Sequence, residues 1–225
     1  KNKNYKKHKY FFFCDGLKDK SSSKNINISS QIKKIISLFN VNKKIFYRKS
    51  NLGLSKNIIQ GVTKVLKTYE KVIVLEDDLQ LDVNFLAFMN KSLTKFSSNK
   101  DLGSITGFSY IHNNKLFKNI QWFKTFRHCS WSWGTWKRVW SKINWNAKID
   151  DKSIDIMDKG GVDLKYMLLG YKYGLINSWA IRFNYHCIKE SLLSVSPRYS
   201  LVKNNGFDFS GTNTFNFFKK PRISF

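Results

Sequence analysis

With 225 residues, 42% of them hydrophobic and 16% aromatic, the chain can bury one sizeable core, which excludes a disordered or fibrous protein. Its 40 Lys and Arg against 15 Asp and Glu give a formal net charge of +25. That excess leaves two readings open: a surface for an anionic partner such as nucleic acid, membrane or a phosphorylated substrate, or compositional drift, since only six of the basic residues are Arg and Asn is abundant.

Three cysteines, Cys14, Cys129 and Cys187, lie far apart with no CxxC spacing, which fits free buried thiols in a reducing compartment and not a disulfide framework. No apolar run approaches the roughly 20 residues that cross a bilayer, and no signal peptide is visible. The expected location is cytoplasmic, compatible with peripheral association on an anionic inner membrane.

In chain order, a basic, polar stretch from Lys1 to Lys9 runs straight into an apolar strand, Tyr10 to Cys14, which ends on the turn Asp15-Gly16. No Met opens the chain, and a βα unit is expected to precede it: the sequence reads as N-terminally truncated, its first strand missing. A polar loop over 17–28 leads to an amphipathic helix, Gln31 to Phe39, with Ile32, Ile35, Ile36 and Phe39 at helical spacing. A short strand follows at 44–48. Next come the loop Asn51-Leu52-Gly53 and a helix that Ser55 is expected to cap, running to Tyr69 with Ile58, Ile59, Val62, Val65 and Leu66 on its apolar face.

Lys71 to Leu75 is the clearest strand, continuously apolar as a central parallel strand would be, and it runs directly into Glu76-Asp77-Asp78. A helix over 83–96 and a strand near 103–107 complete a β-α-β-α-β succession. That succession predicts one α/β domain over 1–225, with an open, mostly parallel sheet flanked by helices. Ligands in such sheets bind outside the carboxyl ends of the strands, where Asp15 and the acidic triplet both fall. The second half carries six of the seven Trp between Trp122 and Trp145, with Trp179 beyond them.

Three adjacent acids after a buried strand repel one another, and hard carboxylate oxygens suit Mg²⁺ or Mn²⁺. The alternative is a solvated turn whose acids answer the dipole of the next helix. Trp136 and Trp140, four apart, share a helix face and read as core together with Trp145. Trp131 and Trp133 divide evenly between core and a sugar-stacking floor, because sugar C–H faces pack on indole rings. His8, His112, His128 and His186 have no HxH or HxxxH spacing and are assigned no ligand role. Arg182 suits either a phosphate or a buried ion pair.

The stretch Lys71-Val-Ile-Val-Leu-Glu76-Asp77-Asp78-Leu79 resembles the metal-binding segment of the N-acetylglucosaminyltransferase I family. It is still more similar to bacterial GT-A-fold glycosyltransferases of surface-polysaccharide type. Cys14-Asp15-Gly16, Asn51-Leu-Gly53, Trp131-Ser-Trp133-Gly134-Thr-Trp136-Lys-Arg138-Val-Trp140, Ser178-Trp179-Ala-Ile-Arg182 and Ser200-Leu-Val-Lys-Asn204-Asn-Gly206 follow in the family's order and cover nearly the whole chain.

The resemblance implies a GT-A-like fold, with 1–110 as the nucleotide-sugar half and 111–225 as the acceptor side. It also implies a metal-assisted transfer of a sugar from a nucleotide-sugar donor to a glycan or lipid-linked acceptor. Asp78 would be the ligand to Mn²⁺ or Mg²⁺, Glu76 and Asp77 would hold the ribose, Asp15 the base, and Asn51 and Gly53 would lie near the nucleotide. Apart from the resemblance, Trp133-Gly134 in a tight loop could floor the sugar or acceptor pocket.

Two departures bear on catalysis. Relatives carry an Asp beside the Trp of the 177–182 motif, where inverting enzymes place the base, and this chain has Asn177 and Ala180. The His that relatives carry after Gly206 is replaced by Gly211-Thr-Asn213-Thr. Asp163 and Asp208 are the candidate replacements, and the base is unassigned. Rival readings are a sugar-nucleotide nucleotidyltransferase, a non-catalytic relative and a basic nucleic-acid-binding module. The last leaves the acidic triplet unexplained and shows no RRM, KH or zinc-finger pattern, so nucleic acid is not expected as a partner.

Overall fold

The computed structural model describes residue 2 and residues 5–20, 22–111 and 119–205. His112, Gly206, Asp208 and the 211–214 segment lie outside the described residues. Strand β1 (Lys9–Cys14) pairs in parallel with β2 (Asn42–Tyr47), and helix α1 (Ser23–Leu38) makes the crossover. α1 starts well before the expected Gln31, because the Ser22 hydroxyl accepts from the Asn25 amide and caps it. Its last turn is closed by Lys43, whose ammonium donates to the carbonyls of Ile36, Ser37 and Phe39, groups a helix end leaves unpaired.

The apolar run of β1 is explained by packing on both sides. Tyr10 and Phe12 lean on Phe39, at ring separations of 5.5 and 6.3 Å, on the α1 side. Phe11 meets Tyr69, and Phe13 meets Gly61 of helix α2 (Leu54–Leu66), on the other. A Cβ at Gly61 would come within 3.1 Å of the Phe13 ring, so a bare helix face is what lets β1 approach.

The main sheet has five strands in the order β3-β7-β5-β8-β6 and is mostly antiparallel. Its members are β3 (Lys71–Val74), β5 (Leu102–Thr106), β6 (Trp122–Thr125), β7 (Trp133–Trp136) and β8 (Leu193–Pro197). Only β5 and β8 run parallel. The expected mostly parallel sheet is corrected here. Trp133-Gly134-Thr135-Trp136 forms a strand that inserts between β3 and β5, and it runs against both.

The central strand is also a different one. All five residues of β5 are buried, whereas β3 lies at the sheet's border and is half-buried throughout. A separate ribbon pairs β4 (Leu79–Leu81) with β9 (Val202–Asn204), antiparallel.

Helices flank this sheet. From α3 (Phe85–Lys95), Phe85, Met89 and Leu93 are buried in the main core with Leu102, Ile105, Trp133, Trp140, Phe183 and Val195. The short α4 (Lys137–Trp140) and α5 (Lys152–Asp155) lead to α6 (Val162–Lys172) and α7 (Trp179–Lys189). Leu164, Leu168, Ile181, Tyr185 and Ile188 form a second cluster between α6 and α7. Trp136 and Trp140 are core as expected, and each buried indole N–H has an acceptor, the Leu93 carbonyl and the Thr63 hydroxyl. The three cysteines are free thiols; Cys129 and Cys187 are buried as expected, and Cys14 is only partly buried. No helix among the described residues is long and apolar enough to cross a membrane.

Candidate functional site

Three groups of residues lie around the ends of β1 and β3 and the start of α2. α2 starts next to Asp15 and finishes near Tyr69, which packs on Phe11, so it runs against β1 and returns the chain to β3 parallel to β1. Asp15 and the 76–78 acids therefore leave from the same edge. Within the main sheet, Val74, Trp133 and Thr106 stand in one row, which sets the acidic turn beside residues 107 and 132.

Asp15 is held by backbone. One carboxylate oxygen accepts from the amides of Gly16 and Leu52 at 2.9 and 2.8 Å, and the other from Gly53 at 2.9 Å. Asn51 donates from its side chain to the Gly16 carbonyl at 2.7 Å. Gly16 is required by contact: a Cβ there would lie 2.3 Å from the Ser50 carbonyl carbon. Gly53 has φ +76°, a conformation that favours glycine, and Gly53 rather than Ser55 is the residue preceding α2. Asp15, Asn51 and Gly53 thus form one clamp joining the end of β1 to the start of α2.

The acidic turn sits between β3 and β4. The Asp78 carbonyl accepts from the Asn205 amide at 2.9 Å, and Leu79 faces Asn204, so the 202–205 segment fixes the turn from the far end of the chain. Asp78 Oδ1 is buried and has no hydrogen-bond partner among the described residues. Burial, then the charges of Asp78 and Asp77, push the Glu76 carboxyl up to about 7. Asp77 is exposed. Among the described residues, no three His, Cys, Asp or Glu side chains come together as a metal-holding group, so a cation here would need further oxygens from outside that set.

The third group ties the two halves together. Arg182, on α7, donates to the Ser178 and Trp145 carbonyls, to the Ser55 hydroxyl in the first turn of α2, and to Asn177 Oδ1 at 3.3 Å. Among the described residues its partners are all neutral, and Tyr171 and Trp145 lie against its guanidinium. Arg182 is therefore a bridge and not the buried ion pair that was one of its two expected roles. Asn177 also lines an open cleft of about 570 Å³, with Lys148, Ile149, Tyr171, Lys172 and Ile176.

Two expected residues do not join this edge. Trp133 is fully buried, its ring stacked on Trp179 and Trp140 and met edge-on by His128, so it packs the core and cannot floor a ligand pocket. Asp163 is engaged by Arg127, with both carboxylate oxygens bound at 2.7 and 2.6 Å, and Arg127 also reaches Tyr110 Oη and the Gly160 carbonyl. The guanidinium holds the Asp163 carboxyl below the usual carboxylate range. A carboxylate depressed in this way anchors α6 and is poorly matched to taking a proton near pH 7.

Two residues that sequence reasoning passed over matter here. Arg127 and Tyr110 fix Asp163, and no local spacing announces a partner 36 positions away. His128 is entirely buried, bonded through Nδ1 to the Ser104 hydroxyl, and burial drives its pKa down to about 3. It is a neutral core residue. No protein-family model matches this chain, and no curated protein matches it.

Proposed function

We propose that this chain is the catalytic body of a GT-A-like glycosyltransferase that moves a sugar from a nucleotide-sugar donor to a glycan or lipid-linked acceptor with the help of Mn²⁺ or Mg²⁺. The observation that carries the reading is the turn 76–78: a buried carboxylate oxygen on Asp78 with no partner among the described residues, beside a Glu76 whose ionisation burial opposes. An orphaned buried carboxylate oxygen is costly unless something cationic meets it. A hard divalent cation fits that donor chemistry, with Asp78 as its protein ligand.

The arrangement of the edge supports the same reading. The Asp15–Asn51–Gly53 clamp stiffens the loop entering α2, which suits the wall of a nucleotide site. α2 opens with backbone N–H groups that hydrogen-bonding inside the helix leaves free, a favourable setting for phosphate. When bound, the metal would supply neutralisation of the charge that grows on the departing nucleoside diphosphate. Arg182 and Ser55 hold the α2 terminus against the Asn177 loop, so the cleft beside Asn177 is the natural acceptor side. Asn177 itself orients through Arg182 and carries no proton-accepting group.

Isothermal titration of nucleoside diphosphate sugars with and without Mn²⁺ tests the proposal. Binding is expected only with Mn²⁺, and Asp78→Asn is expected to abolish it while the circular-dichroism spectrum is unchanged. Metal-independent binding, or full binding by Asp78→Asn, would contradict the assignment.

A further inference from the structure

A second cavity lies between helix α7 and the segment 142–149 that follows α4. It measures about 200 Å³ and is lined by Lys142, Arg182, Tyr185, His186 and Lys189, with Glu190 the one acid among its lining residues. Arg182 is followed on α7 by Tyr185, His186 and Lys189 at helical spacing, so these four share one face of the helix. The facing wall is fixed by its own contacts. Arg182 donates to the Trp145 carbonyl, the Ala147 amide donates to the Asn144 carbonyl at 3.2 Å, and the Trp145 ring packs 4.6 Å from Trp140.

Positive charge dominates this cavity. Lys142, Arg182, His186 and Lys189 face Glu190 alone, and the exposed Asp150 stands within electrostatic reach of Lys189. Among the described residues Lys142 and Lys189 form no ion pair, and Arg182 has only neutral partners. His186 Nε2 is buried with no hydrogen-bond partner among the described residues. Burial, together with the charges of Lys142 and Lys189, holds the His186 imidazole below its ordinary value against the pull of Glu190. The carbonyl end of a helix favours cations, which accounts for His186 and Lys189 in the last turn of α7. It does not account for Lys142, which comes from another element. An anion seated among these groups relieves their mutual repulsion and gives Nε2 a partner.

The volume limits what that anion is. Sites that enclose a whole drug-sized ligand measure roughly 300–1,000 Å³, so this cavity suits a single phosphate group and not a nucleotide. Its position indicates what carries the phosphate. Ala147 and Ile149 line both this cavity and the cleft beside Asn177, and Arg182 in the one donates to Asn177 in the other. We infer that the α7 cavity binds a phosphate group, and that this group belongs to a sugar phosphate whose ring extends across residues 147–149 into the Asn177 cleft. The phosphate site stands on the cavity; its assignment to the acceptor rests on the glycosyltransferase reading.

The test is isothermal titration of the full chain with inorganic phosphate, glucose 1-phosphate, glucose 6-phosphate and methyl glucoside, joined to an NMR titration of the His186 ring. Inorganic phosphate is expected to bind, and Lys142→Gln/Lys189→Gln is expected to weaken it by roughly tenfold or more. Lys100→Gln/Lys124→Gln removes the same charge from exposed positions outside the cavity and is expected to bind as the wild type does. Saturating phosphate is expected to move the His186 pKa upward, because a neighbouring anion favours the imidazolium. Equal weakening by the two double variants would reduce the binding to the general +25 charge and overturn the site, as would an unmoved His186 titration. A sugar phosphate is expected to bind roughly tenfold or more tighter than phosphate or methyl glucoside alone. Preference for the 1-phosphate indicates a lipid-linked acceptor, and preference for the 6-phosphate a phosphorylated glycan. No gain from either sugar keeps the phosphate site and removes its link to the acceptor. Mn²⁺-dependent nucleotide-sugar binding is expected to be unchanged in Lys142→Gln/Lys189→Gln, so failure of this cavity and failure of the donor site are read separately.

Discussion

Glu76 is the residue at which protonation and function meet. Its carboxyl is held near 7 by burial and by two neighbouring carboxylates, against 4.5 ordinarily, so the folded protein keeps a proton there that the unfolded chain releases. Between pH 4.5 and about 7 the folded state therefore binds more protons, and stability falls as pH rises through that window. Glu76→Gln is expected to flatten this part of a Tm-against-pH curve, and an unchanged slope would place the titration elsewhere. A cation at Asp78 favours the ionised form of Glu76, so Mn²⁺ affinity, followed by electron paramagnetic resonance, is expected to rise with pH up to about 7 and then level off.

Asn177 allows a second test at this scale. Its side chain faces a guanidinium whose described partners are all neutral, so Asn177→Asp is expected to form an ion pair with Arg182. That pair, worth up to about 1 kcal/mol, corresponds to roughly 2–4 °C in Tm. Turnover is expected to gain little, because an Asp paired with Arg is a weak base. A large rise in transfer rate would show that the position needed only its carboxylate.

At the scale of elements, the Trp block separates what was legible from what was not. Trp136 and Trp140 read as core because their spacing of four places them together. The same block was not read as strand, since Trp133-Gly134-Thr135-Trp136 is four residues long and its alternation is masked by burial on both faces. Its insertion between β3 and β5 is a tertiary fact, and it turns an expected parallel sheet into a mostly antiparallel one. Gly134 is the reason it fits: a Cβ there would come 2.8 Å from the Val72 carbonyl oxygen and 2.9 Å from Leu93.

Trp133→Ala removes the most enclosed indole in the core and is expected to cost about 3–5 kcal/mol, roughly 6–20 °C in Tm. A loss below 1 kcal/mol would argue that the ring faces a pocket. The Asp163 site shows the same limit. The sequence places an acid in the first turn of α6, but only the fold reveals that Arg127 occupies it.

At the scale of the whole molecule, the order of motifs carried more information than any one of them. Asp15 and the 76–78 acids are far apart in sequence, and the β-α-β-α-β succession expected both at strand carboxyl ends of one parallel sheet, whereas β1 and β3 belong to different sheets. The part it missed is the route of the second half, where β4 and β9 bring Asn205 to the Asp78 carbonyl and Arg182 reaches Ser55. Such contacts join residues more than 120 positions apart and leave no local pattern. The +25 charge is spread over lysines, and the acids that are present gather at the 76–78 turn and around α5 and α6.

The proposed activity stands on Asp78. The most direct measurement is release of nucleoside diphosphate from a panel of nucleotide sugars, followed by phosphorus NMR with Mn²⁺ present, for the wild-type chain and for Asp78→Asn. Release by the wild type that stops on chelation and is reduced at least a hundredfold in Asp78→Asn is the predicted result. Release that continues unchanged in Asp78→Asn, or that does not depend on a divalent cation, would contradict it.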